Sequence, residues 1–162
     1  MKFIKSGDKL TEGKLAQFES EVGWAFPSDY KEFMLNNNGG APEDCLVFSF
    51  EDIVSGKENN SDLREFFTVF DENCSNYTSY LDIVRIYKSM TGEEIIPPFF
   101  LPIGDDSGGN PICLNLAEEE YGAVFFCDHE LENQDTGFLA SSKIADSFTE
   151  FMSMLKPFVY NG

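Results

Sequence analysis

Basic residues are scarce in this chain. Eleven lysines and arginines stand against 29 aspartates and glutamates in 162 residues, giving a formal charge of −18. A field of that sign repels nucleic acid and anionic lipid and speeds encounter with basic proteins, so the expected partner is neither nucleic acid nor a membrane. Histidine occurs once, as His129. The four cysteines, Cys45, Cys74, Cys113 and Cys127, are widely spaced without a Cys-x-x-Cys pair. A Cys/His zinc site is therefore not expected. No run approaches the length of a membrane-spanning helix, and the opening MKFIKSGDKLTEG has no apolar core of the signal-peptide kind. Cys113 and Cys127 sit inside apolar runs, where free cysteine behaves as a small hydrophobe. These shortages predict a reduced, cytoplasmic protein.

Apolar material is plentiful. Hydrophobic residues make up 42% of the chain and 17 are phenylalanine, enough for one domain, residues 1–162, around a largely aromatic core. Thr11 reads as the cap of a helix carrying Leu15, Phe18 and Val22, which Gly23 ends. Pro27 and Ser28 open a second helix with Tyr30, Phe33, Met34 and Leu35, stopped by Asn36 to Gly40. Leu46 to Phe50 alternates as a strand. Glu51 to Arg64 reads as a long polar connection, and Phe66 to Phe70 as a further short strand. Tyr80, Leu81, Val84 and Tyr87 recur at helical spacing. Val124 to Cys127 is a strand, and Ser142 is the expected cap of a last helix carrying Ile144, Phe148, Phe151, Met152 and Leu155. The pattern predicts an α+β fold: a central, mostly antiparallel sheet with helices at the N- and C-terminal ends.

The segment FLPIGDDSGGNPICLNL, Phe100 to Leu116, is the most informative. Leu101 and Ile103 flank Pro102, so the first strand should be short and lie at an edge or enter a turn. Asp105, Asp106, Ser107, Gly108, Gly109 and Asn110 form an unbroken run of turn residues, with two glycines free to take positive φ. Ile112, Leu114 and Leu116 then alternate at the period of a half-buried strand. The turn resembles a calcium loop only superficially, since an EF-hand needs alternating oxygen ligands and a glutamate at its twelfth position, here Leu116. Asp128-His129-Glu130 is the most catalytic-looking cluster, yet adjacent strand residues point to opposite faces and so do not form a dyad. No G-x-S-x-G, phosphate-cradling loop or H-E-x-x-H accompanies it. No catalytic residue, metal site or cofactor is assigned. Glu118, Glu119 and Glu120 read as a solvated face or turn.

Three segments, in order, resemble the SUKH superfamily of Smi/Knr-like proteins: FPSDYKEFMLNNNGG (Phe26 to Gly40), LPIGDDSGGNPICLNL, and GAVFFCDHE followed by IADSFTEFMSML (Gly122 to Leu155). Pro27, Tyr30, Phe33, Gly39, Gly40, Gly104, Gly108, Gly109, Phe148 and Phe151 carry that resemblance in fold-specifying roles. The resemblance implies a single SUKH-like domain that binds protein and does not catalyse. Many bacterial members resemble immunity proteins that neutralise a cognate toxin, often a nuclease. Others look like regulatory scaffolds that bind an endogenous partner. For a toxin with a basic catalytic domain, the expected contact residues are Asp105, Asp106, Glu118, Glu119, Glu120, Asp128 and Glu130.

Overall fold

Thr11 opens the first helix as its sequence predicts. Its backbone is extended and its hydroxyl oxygen accepts the Lys14 amide at 3.1 Å, which satisfies one orphan donor of the first turn. In the computed structural model, which describes Met1–Gly162, helix α1 spans Glu12–Val22 and buries Leu15, Phe18 and Val22. Gly23, at φ 82°, terminates it in the left-handed conformation. Pro27 precedes α2 (Ser28–Asn37), which turns Tyr30, Phe33 and Met34 inward.

The reversal after α2 is built around a buried asparagine. The Asn38 amide donates to the carbonyls of Asp8 (2.7 Å) and Val69 (2.9 Å), and its Oδ1 accepts the Val69 N–H (2.9 Å). Gly39 follows at φ 74°, where an added Cβ would lie 2.3 Å from the Phe67 carbonyl oxygen. Only glycine fits so close a backbone approach. The same joint shortens the strand expected over Phe66 to Phe70. Regular pairing survives only as β5 (Glu65–Phe66), because beyond it Asn38 takes the Val69 amide while Thr68 exchanges backbone bonds with Leu81 and Ile83.

The main sheet is antiparallel with the order β5, β6 (Phe100–Asp105), β7 (Pro111–Asn115), β8 (Val124–Glu132), β9 (Leu139–Ala145). A second sheet sets β3 (Leu46–Glu51) between β4 (Glu58–Leu63) and β10 (Lys156–Pro157), and β1 (Phe3–Ile4) pairs with β2 (Ala41–Pro42). Helix α3 (Ile83–Gly92) lies mid-chain after a 3-10 turn at Ser79–Leu81, and Asp82 caps it. Helix α4 (Phe148–Met154) closes the chain's helical content. This is an α+β fold, and no helix is long and apolar enough to cross a membrane.

Four expectations need correction. The supposed connection Glu51 to Arg64 contains β4, which pairs along β3 from Leu46↔Leu63 to Glu51↔Glu58. Its sequence ENNSDL shows no apolar alternation because only Leu63 is buried, and the ladder is held by backbone bonds. Strand β7 is buried on both faces rather than one: Ile112 and Leu114 join the main core, while Cys113 joins Ile96, Phe100 and Cys127 in a smaller cluster. Ser142 lies in β9, and the cap of α4 is Ser147, whose hydroxyl accepts the Glu150 amide. Buried Ala140, Ser142 and Ile144 have strand period, and Ile144 mimics helical spacing only through its distance from Phe148. Strand β6 lies inside the sheet, not at its edge, and it is the other expectation, entry into a turn, that holds, since the strand runs directly into the turn at Asp106 to Asn110. Even so, β5 reaches only Gly104 and Asp105, so at Pro102 the sole strand neighbour is β7.

Phenylalanines join the layers. The Phe66 ring lies 4.9 Å from Phe33, 5.7 Å from Phe148 and 6.3 Å from Phe151, centroid to centroid, so α2, α4 and the sheet meet on one residue. Buried rings of this kind supply a large share of core energy, about 3–5 kcal/mol each by truncation to alanine.

Candidate functional site

The acidic glycine turn between β6 and β7 is built into the molecule. Asp106 is 4% exposed. Its Oδ1 accepts the Asn110 amide at 2.7 Å, and its Oδ2 accepts the Ser61 hydroxyl (2.6 Å) and the Asn110 side-chain amide (2.9 Å). Ser107 donates its amide to Asp62 at 3.0 Å and its hydroxyl to the same carboxylate. Asp105 pairs with Arg64, accepting from Nε at 3.0 Å and from Nη2, and burial pushes its carboxyl above the usual range against the pull of that guanidinium. The turn is thus fastened to β4 and to the residue that follows it. Gly109 adopts φ 83°, whereas Gly108 does not take positive φ. Gly104 serves close packing: a Cβ there would sit 2.5 Å from the Glu65 carbonyl oxygen.

Asn110 also receives His129. The His129 amide (3.0 Å) and Nδ1 (2.6 Å) both meet Asn110 Oδ1. Since the Asn110 amide nitrogen donates to Asp106, its oxygen is the acceptor and His129 Nδ1 is the donor. Asp128 Oδ1 accepts the Glu130 amide at 2.9 Å, a local bond within the strand. The histidine is therefore anchored on an amide, and no hydrogen bond joins it to either neighbouring carboxylate. Asn110 is the residue sequence reasoning undervalued: it looks like one more turn residue, yet it links β6, β7 and β8.

Glu118, Glu119 and Glu120 are exposed in the turn at the opposite end of β7. Asn115 holds that turn through the carbonyls of Glu119 (2.8 Å) and Glu120 (3.1 Å). Glu120 pairs with Lys143 at 2.7 Å, and Lys143 also meets Asp146 at 3.0 Å. Those hydrogen bonds, Glu120 first, push the lysine up to about 12. Glu118 and Glu119 enter no ion pair of this kind.

The seven acidic residues singled out by sequence thus divide. Asp105, Asp106, Asp128 and Glu130 gather where the β6–β7 turn meets β8, and the three glutamates stand at the other end. Asp106 belongs to the internal frame. No cluster of three His, Cys, Asp or Glu side chains is placed to hold a metal ion. Two shallow surface clefts, of 180 Å³ beside α1 and 410 Å³ beside the N-terminal arm, are not lined by the acidic groups just described. What the arrangement offers is a rigid, negatively charged surface.

A second turn escaped sequence reasoning. Between β3 and β4, Ile53 and Val54 stand 67% and 62% exposed. The available signal was an Ile-Val pair inside a polar run bounded by Asp52 and Gly56.

Comparison with known proteins places these features in context. The model of the SMI1/KNR4 family (SUKH-1) matches residues 9–154. The chain is 28% identical over 156 residues to the SPbeta prophage-derived uncharacterized protein YokK of Bacillus subtilis (strain 168), a match covering 90% of this chain and 74% of the relative. It is also 29% identical over 94 residues to calmodulin-like protein 2 of Arabidopsis thaliana, covering 54% of this chain and 62% of that protein.

Proposed function

The chain belongs to the SMI1/KNR4 family (SUKH-1), and on that premise we propose that it is an immunity protein which binds and neutralises a cognate protein toxin, most simply a nuclease. The observation that carries this reading is the family match across residues 9–154, because many bacterial SUKH proteins are immunity proteins. The prophage origin of the similar Bacillus protein agrees with a bacterial setting. The charge of −18 supports the same reading. A nuclease keeps a basic surface for phosphate, and an acidic protein covering that surface blocks the substrate. Complementary charge would mainly raise the association rate, while apolar anchors would set the rate of release. An interface of roughly 1,600 Å² is ordinary for such a complex.

The test is affinity capture of the tagged protein from its native cells at two salt concentrations, read by mass spectrometry, followed by co-expression with whatever is recovered. Recovery of a toxic protein with a basic domain, whose toxicity the chain relieves, is the expected result. Recovery of endogenous enzymes alone would replace the immunity role with that of a regulatory scaffold.

A further inference from the structure

We propose that the tip of the β3–β4 hairpin, Ile53 and Val54 within an acidic rim, is the anchor by which this chain seats on a basic protein partner. The proposal rests on the protein-binding reading above and locates its contact. Away from the chain ends, Ile53 and Val54 are the only adjacent large apolar residues so exposed. A lone exposed aliphatic is ordinary. Two side by side on a fully bonded turn are a different matter, since the turn has no freedom to tuck them away. Asp52 Oδ1 accepts the amides of Val54 (2.8 Å) and Ser55 (2.9 Å). The Gly56 amide donates to the Asp52 carbonyl, and the Asp52 amide to the Lys57 carbonyl, each at 2.8 Å. The Ile53 amide donates at 2.9 Å to the hydroxyl of Ser142 in β9, a residue only 5% exposed. The tip is bolted to the main sheet, so its conformational entropy is lost on folding and not again on binding. That is the condition of a pre-organised anchor.

Charge selects the occupant. Around the tip the chain carries Glu51, Asp52 and Glu58 against the single base Lys57. Glu51 and Glu58 are exposed and face each other across the base of the turn. An apolar centre inside a charged, solvated rim is the anatomy of an interface hot spot. Strand β4 is an edge strand, so its outer side beside the tip has no strand neighbour. An anionic membrane would be repelled by this rim, and a second copy would set acid against acid. A protein surface with lysines and arginines around an apolar socket fits.

The test places a benzoyl-phenylalanine photocrosslinker at position 54 or, separately, 119 of the full chain in its native cells, then measures binding of the purified crosslinked protein. Crosslinking from position 54 to a basic protein is expected. The double variant Ile53→Ser/Val54→Ser should weaken that protein's binding about 30-fold, the scale of losing an anchor. Glu51→Gln/Glu58→Gln should mainly slow association and flatten its salt dependence. Crosslinking from 119 but not from 54, or a double serine variant within twofold of wild type, overturns the proposal. A partner that crosslinks from 54 but is not toxic leaves the anchor standing and removes the immunity role. No crosslink from either position overturns the anchor, while the immunity role stands or falls by the capture and co-expression test.

Discussion

Two turns in this molecule are assembled from similar parts: an aspartate that accepts backbone amides, small polar residues, and a glycine in the left-handed region, Gly109 at φ 83° in the β6–β7 turn and Gly56 at 69° in the β3–β4 turn. Their surroundings send them opposite ways. The first meets β4, so the Asp106 carboxylate turns inward and takes Ser61 and Asn110 as partners. The second meets the rest of the protein through one amide on Ser142, so its aspartate closes the turn on itself and its two aliphatics remain in water. Acidic, glycine-rich character marks a turn. Whether that turn is frame or contact surface depends on what packs beside it.

The largest effect should come from breaking the inward turn. Asp106→Ala removes three accepted bonds and strands the donors of Ser61 and Asn110, an expected loss of about 3 kcal/mol given the strength of hydrogen bonds to charged groups. Asp52→Ala, in the exposed turn, should cost about 1 kcal/mol. Urea midpoints measure both, and equal losses would erase the distinction between the turns.

Glycine replacement should not distinguish them. Nothing lies within 4 Å of a Cβ added at Gly109 or Gly56, so Gly109→Val and Gly56→Val each face only the left-handed backbone penalty, about 1–2 kcal/mol. A far larger drop in melting temperature at Gly109 would reveal crowding around the inward turn.

Tyr30 sharpens the meaning of a satisfied polar group. Its hydroxyl is fully buried without a partner, and desolvation holds its pKa well above the usual tyrosine value. Tyr30→Phe should leave stability unchanged or raise it by up to about 1 kcal/mol, since no hydrogen bond is lost and a desolvated hydroxyl is removed. A clear loss in a thermal melt would mean the hydroxyl is bonded. At the outward turn, Ile53→Ser/Val54→Ser should alter stability by no more than about 0.5 kcal/mol, because both side chains are already solvated. A larger loss by the same melt would show that the pair packs on the protein.

The smallest effect is on pH dependence. Burial raises the carboxyls of Glu65 and Asp105 despite Arg64. A raised carboxyl holds its proton more firmly in the native state, so its contribution is favourable below the unfolded pKa and is lost as pH rises through the native one. Asp52, lowered chiefly by the Ser55 amide, has the opposite sign: its contribution holds above the unfolded pKa and disappears as pH falls through the native one. The melting temperature should therefore rise slightly as pH is lowered from neutral towards the carboxylate range, then fall. Asp105→Asn should shrink the rise, and an unchanged rise would assign it to other groups.

Local chemistry was legible wherever a residue acts on its near neighbours. Thr11 and Gly23 bracket α1 as read, and Pro27 with Asn38-Gly39-Gly40 bracket α2, because capping and left-handed φ are properties of a few consecutive residues. Strand β4 was not legible: its residues are chosen for solvent and its order comes from β3. Ser142 misled for a related reason, since one buried polar residue reads as a helix cap until the strand beside it is known.

Of the candidate site, the sequence by itself determined the density of negative charge, the glycine turns and the motifs that carry the family. The tertiary structure alone decided which carboxylates remain available. Asp106 is buried because Ser61, 45 residues earlier in the chain, arrives at its Oδ2. Ile53 is held outward because Ser142, 89 residues later, takes its amide. Capping and turn formation depend on neighbours along the chain, whereas exposure depends on neighbours across it, and those exist only once the sheets have formed.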